Sequence, residues 1–102
     1  MSLIHVNKES FDKITNQKTV LIDFWAPWCM PCQMLTPVLE ELSQEKPELI
    51  IAKVNVDDEP ELAMKYGINS IPCLMLFEEG NLTNKSLGYM DKETLIKKFN
   101  LK

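Results

Sequence analysis

Apolar residues along the chain switch between strand-like runs and helical spacing, and the switches mark nine elements. Leu3 to Val6 forms a short first strand. Asn7 is a side-chain acceptor suited to cap a helix over Lys8–Thr15, where Phe11 and Ile14 make an i, i+3 apolar pair and Glu9 and Asp12 put acid near the positive end. Ser10 stands where a full capping box would carry Glu or Gln, which weakens that start signal. Thr19–Trp25 is an unbroken β-branched and aromatic run of strand length, the pattern of a central strand buried on both faces, and Asp23 is the single charge inside it. From Pro31 to about Glu45, Met34, Leu35, Val38, Leu39 and Leu42 share one helical face, and Pro37 removes a backbone donor and is expected to kink the helix.

Leu49–Asn55 repeats the buried-strand pattern. Asp57, Asp58, Glu59 and Pro60 open a third helix that runs through Tyr66 to Gly67 as its cap. Cys73–Phe77 is a fourth strand, Glu79-Gly80-Asn81 a turn, and Leu82–Leu87 the returning strand of a hairpin that Gly88 ends. Asp91 caps a last helix whose apolar face uses Leu95, Ile96 and Phe99. The order βαβαβαββα predicts the α/β class: an open mixed sheet with helices on both faces and an antiparallel edge.

Composition narrows this picture. With 102 residues and no repeat or linker, residues 1–102 are expected to form one domain, and 45% hydrophobic with 25% charged residues supports an ordinary packed core. A net charge of −4 without any arginine excludes the basic footprint of a nucleic-acid binder. Lys97, Lys98 and Lys102 make a basic end that suits the C-terminus of the last helix. No run approaches the roughly 18 apolar residues of a membrane span, and Met1–Lys8 has no charged lead followed by a long apolar stretch, so the expected compartment is the cytoplasm.

In that compartment the two cysteines of Trp28-Cys29-Met30-Pro31-Cys32, at a strand-to-helix junction within a βαβ pattern, read as a redox pair rather than a structural staple. The thiolate is the reactive form of cysteine, and a Cys-X-X-Cys setting lowers the thiol pKa from its free value of about 8.5, which makes Cys29 the candidate attacking group. A zinc-ligand pair would need a second pair or histidines at ligand spacing, and only Cys73 and His5 remain; no metal and no other cofactor is expected. Asp23, isolated among apolar neighbours, should have a raised pKa from desolvation, which suits a proton acceptor for Cys32. A hydrogen-bonded structural acid or an outward-facing strand residue are the other readings.

The run Asp23–Cys32, Pro37 in the following helix, Ile71-Pro72, and Phe77, Gly80 and Gly88 together resemble the thioredoxin family over essentially the whole chain. The resemblance implies a three-layer α/β/α sandwich and a protein dithiol-disulfide reductase. In that mechanism Cys29, at a helix N-terminus, attacks a client disulfide, and the shielded Cys32 resolves the mixed disulfide, leaving a Cys29–Cys32 bond. It implies that Lys53 pairs with and tunes Asp23, although a plain surface lysine is the other reading. It also implies that Trp28, Met30, Pro31, Ile71, Pro72 and Gly88 form the client surface, with Pro72 cis and the Ile71 backbone free to pair with an extended segment. The implied partners are a thioredoxin reductase, driven by a nicotinamide, ferredoxin or a flavin, and clients such as ribonucleotide reductase, peroxiredoxin and methionine sulfoxide reductase, with the chain a monomer. A disulfide oxidase or isomerase, or a binding module holding a metal or iron–sulfur group, are the alternatives.

Two positions depart from the family pattern. Met30 stands where glycine is usual, which bears on the redox potential and adds an oxidisable thioether; a tolerated exposed methionine is the plainer reading. Cys73 stands where threonine is common. It is either a small buried apolar residue or a third thiol that reacts near Pro72.

Overall fold

The computed structural model describes residues 3–101. It contains β1 (Leu3–His5), α1 (Lys8–Thr15), β2 (Thr19–Trp25), α2 (Met30–Glu45), β3 (Ile50–Asn55), α3 (Pro60–Lys65), β4 (Cys73–Glu78), β5 (Asn81–Leu87) and α4 (Lys92–Lys98). The nine expected elements are present in the expected order, with ends shifted by a residue or two. Lys97 and Lys98 occupy the last turn of α4 as expected, and Lys102 lies outside the described residues. Pro37 sits inside an α2 that is one uninterrupted helix.

The start of α1 is better built than its sequence suggested. Asn7 Oδ1 accepts the Ser10 amide at 3.0 Å while Ser10 Oγ accepts the Asn7 amide at 3.2 Å, so the capping box is complete. A serine hydroxyl carries lone pairs that serve as well as a Glu oxygen here. The hairpin turn is also tighter than expected. β4 runs on to Glu78 and β5 starts at Asn81, leaving Glu79 (φ 52°) and Gly80 (φ 89°) as the two linking residues. Positive φ at both is the type I′ signature that matches strand twist, and a Cβ at Gly80 would run into the Asn16 side chain.

The strands form one sheet in the order β1-β3-β2-β4-β5. β1 and β2 flank β3 in parallel, and β4 and β5 join antiparallel on the other side of β2. Because strand side chains alternate between faces, β2 divides its residues between two cores. Val20, Ile22 and Phe24 pack with Phe11 of α1, Leu62 of α3, Val54, Met75 and Phe77. Aromatic rings dominate there, with Phe77 edge-on to Phe11 at 5.8 Å and to Tyr66 at 5.9 Å. Leu21 faces the other way, with Ile51, Leu74 and Leu76, against Leu35, Leu39 and Leu42 of α2, Leu95 of α4 and Phe99 that caps it. Lys92 of α4 also pairs with Glu41 and Glu45 of α2. The result is an α/β three-layer sandwich, and the C-terminal end of its central strand leads directly into α2.

Candidate active site

The turn from β2 into α2 sets the two thiols. The Cys29 amide donates to Ala26 O at 3.2 Å, and Gln33 Nε2 closes the same turn on Pro27 O at 2.7 Å. Cys29 is the N-cap of α2, in extended conformation, and its Sγ accepts the backbone N–H of Cys32 at 3.2 Å. Pro31 sits within the first turn, where its missing N–H costs nothing. Cys29 and Cys32 are joined as a disulfide with their Cα atoms 5.2 Å apart, Cys29 5% and Cys32 1% exposed. Ala26, Trp25, Val56 and Ile71 pack around them.

Around this pair the chain builds a rim. Ile71–Pro72 is a cis peptide, Ile71 O lies 3.8 Å from Cys29 Sγ, and Ile71 stands outside the β4 ladder, which begins at Cys73. Pro72 O accepts the Gly88 amide at 2.8 Å, with Gly88 at φ 89°. Trp28 is 68% and Met30 67% exposed, and Pro31 and Met34 are exposed beside them. The Trp28 indole N–H donates to Asp57 Oδ2 at 3.0 Å, which fixes the ring over the loop after β3.

On the face of β2 that looks toward α2, Asp23 is completely buried and neither carboxylate oxygen has a hydrogen-bond partner. Burial pushes its carboxyl up to about 7, against the opposing charge of Lys53. Lys53, opposite Asp23 in the β2–β3 register, is 6% exposed, so it is a buried ion and not a surface lysine. Its Nζ lies 3.8 Å from Asp23 Oδ2, 2.9 Å from Thr36 Oγ1, and 4.6 Å from the centre of the Trp25 ring. Thr36 Oγ1 in turn donates to Cys32 O at 3.2 Å. Asp23 is thus inward, without a hydrogen bond and with its pKa raised by burial, and neither of the other two readings, a hydrogen-bonded structural acid or an outward-facing residue, describes it.

The described residues thus place a disulfide at a helix start, a proline-flanked backbone segment against it, and a buried acid with its lysine on the adjoining strands. The thioredoxin family model matches residues 2–100. The chain belongs to the thioredoxin family. It is 47% identical over 95 residues to a thioredoxin of Chlamydia caviae, covering 93% of each chain. It is 46% identical over 96 residues to a thioredoxin of Bacillus subtilis, covering 93% of this chain and 92% of that one. A solved mutant thioredoxin from Halobacterium salinarum superposes with a TM-score of 0.87 at 36% identity, covering 94% of this chain and 86% of that one.

As a thioredoxin-family member the chain is a protein disulfide oxidoreductase, acting as a disulfide reductase, and it works with a reductase and with disulfide-containing clients. The oxidase, isomerase and metal-binding alternatives are not favoured. No helix among the described residues is long and apolar enough to cross a membrane. No group of three or more His, Cys, Asp or Glu among them is placed to hold a metal ion.

Thr36 and Asp57 were missed as site residues in the sequence. Thr36 falls four residues after Cys32, a helical spacing that was available as a signal; Asp57 looked like one of several acids opening α3, and nothing linked it to Trp28. Cys73 packs on the other face of the sheet, with Phe24, Val54 and Met75, and burial raises its thiol pKa. The ring of His5, on the edge strand, lies tilted beside the Trp25 ring with the centres 6.4 Å apart.

Proposed function

We propose that Cys29 is the nucleophile and Cys32 the resolving thiol of this reductase. Reduced Cys29, as thiolate, attacks one sulfur of a client disulfide, forming a Cys29–client bond and expelling the other client sulfur as thiolate. Cys32 then gives its proton to Asp23 and attacks Cys29 Sγ; the mixed disulfide breaks, the second client sulfur leaves, and the Cys29–Cys32 bond of this structure forms. Two electrons pass to the client, whose two thiolates take up protons. The observation that carries this reading is the amide of Cys32 aimed at Cys29 Sγ from the first turn of α2. A helix N-terminal N–H stabilises negative charge on the attacking sulfur, whereas the Cys32 sulfur has no such donor among the described residues and is shielded.

Asp23 supports the second step because its carboxyl, raised to about 7 by burial, is a base near neutral pH, and Lys53 tunes it from 3.8 Å. Trp28, Met30, Pro31, Ile71, Pro72 and Gly88 make the client surface. An extended client segment would pair with the Ile71 backbone, which the β4 ladder leaves unused beside Cys29. Residues 1–102 act as one domain, as a monomer in the cytoplasm. A thioredoxin reductase, fed by a nicotinamide, ferredoxin or a flavin, returns the pair to the dithiol. Ribonucleotide reductase, peroxiredoxin and methionine sulfoxide reductase, the last a repair enzyme for thioethers such as that of Met30, are the expected clients.

Trapping tests the assignment. The Cys32→Ser chain should accumulate a mixed disulfide through Cys29 with an insulin-type disulfide substrate, seen by mass spectrometry. A mixed disulfide through Cys32 in the Cys29→Ser chain, formed equally fast, would reverse the roles.

A further inference from the structure

The Lys53 ammonium lies near the side-chain oxygens of Thr36 and Asp23 and bonds one of them. It donates to Thr36 Oγ1 at 2.9 Å and stops 3.8 Å short of Asp23 Oδ2, beyond hydrogen-bond range. Both Asp23 oxygens are consequently without a partner although the nearest cation is buried beside them. Thr36 can hold the ammonium because of its place on α2. One turn beyond Cys32, its hydroxyl proton goes to Cys32 O at 3.2 Å. A hydroxyl has one proton and two lone pairs, so the oxygen faces Lys53 as an acceptor and nothing else.

We infer that Thr36 is a positioning residue of the exchange reaction: it holds the Lys53 ammonium on its own oxygen, away from Asp23, and so leaves the buried carboxyl free of hydrogen bonds and available as a base. This deepens the proton-acceptor reading of Asp23 above and rests on it. An ammonium bonded directly to the carboxylate would favour its charged form and weaken it as a base. At 3.8 Å without a bond, Lys53 opposes burial only through its charge, and burial prevails. The other groups around Asp23 leave this balance in place. Cys73 of β4 couples to it electrostatically with its own thiol pKa raised by burial, Leu74 is its partner in the β4 register, and the two cysteines at the start of α2 are joined as a disulfide and do not titrate.

Thr36→Val keeps the shape and removes the acceptor. Lys53 then loses that acceptor, and a movement of about 1 Å toward Asp23 Oδ2 makes a charge-assisted hydrogen bond. The Asp23 carboxyl of the oxidised full chain is titrated by ¹³C NMR in the wild type, T36V, T36S, K53M and the K53M/T36V double variant. In T36V the Asp23 midpoint should fall by about one pH unit or more, T36S should restore it, and in the K53M background T36V should add no shift. The acid limb of the turnover pH profile should move down with the midpoint.

A T36V midpoint equal to the wild type, or a shift that persists without Lys53, overturns the assignment. T36A takes the place of T36V should the valine chain fail to fold. D23N separates this inference from the reading beneath it: a D23N profile unchanged from the wild type removes Asp23 as proton acceptor. A flattened D23N profile with an unmoved T36V midpoint overturns the role of Thr36 alone.

Discussion

The two faces of the sheet are buried to the same depth and hold opposite kinds of residue. Toward α1 and α3, Phe11, Phe24, Phe77 and Tyr66 fill the space with rings, and the one thiol there, Cys73, is 1% exposed. Toward α2 and α4 the core is leucine-rich, yet it admits Asp23 and Lys53 where α2 begins, and Cys32 is also 1% exposed. Equal burial thus goes with a free cysteine on one side and a disulfide-bonded one on the other. What differs is the backbone: the redox pair sits at a helix start with an amide aimed at sulfur, whereas Cys73 lies in a strand whose polar groups are spent in the ladder. Depth alone does not set how a cysteine ionises; oriented dipoles and nearby charges weigh on it as well.

The sharpest way to break this contrast is to exchange the thiols' fates. Cys29→Ser should reduce turnover of an insulin-type disulfide substrate to the uncatalysed background, because no mixed disulfide can form; residual turnover through Cys73 would dissolve the distinction.

On the ring-filled face, Phe11→Ala should cost about 3–5 kcal/mol in chemical denaturation, a large share of a domain's typical 5–15 kcal/mol. Turnover per folded molecule should stay at the wild-type value. A loss of turnover larger than the loss of folded protein would mean that this face also shapes the site.

Asp23 makes the opposite face pH-sensitive. Its carboxyl titrates near 7 when folded and from the ordinary 3.8 when unfolded, so between those values the native chain binds more protons than the unfolded one. Stability from this group is fully present below about pH 4 and is lost as pH rises through 7, at about 1.4 kcal/mol per unit. Denaturant midpoints of the oxidised wild type minus those of Asp23→Asn should therefore fall over this window. A flat difference would mean that the buried acid is not destabilised by its charge.

The smallest effect belongs to Cys73. Cys73→Ala should cost about 1 kcal/mol as a lost buried contact and leave turnover unchanged. In the native wild type its thiol should resist iodoacetamide while reduced Cys29 is alkylated; rapid alkylation of Cys73 would make it a third redox thiol.

Much of this was legible beforehand for a local reason. Thr19–Trp25 reads as a buried strand and Met34–Leu42 as a helical face because periodicity is a property of neighbours in the chain. The cysteine pair is legible for the same reason, three residues apart at a strand-to-helix switch. The Lys53–Thr36 and Trp28–Asp57 contacts were not, since they join residues 17 and 29 positions apart, and the spacing of Thr36 from Cys32 tells only of their shared helix. Ser10 was undervalued because its hydroxyl does the work usually ascribed to a longer acid.

By itself, then, the sequence determined the nine elements, the thiol pair at the head of α2, and a lone acid in an apolar strand. Only the tertiary structure decided that Asp23 is inward and unbonded, that Lys53 is buried and turns to Thr36, that Cys73 falls on the far face, and that Trp28 is held by Asp57. Elements follow from repeating local spacing and backbone hydrogen bonds. Which donor meets which acceptor depends on how strands register and helices pack, and differences of about 1 Å there separate a hydrogen bond from a bare charge.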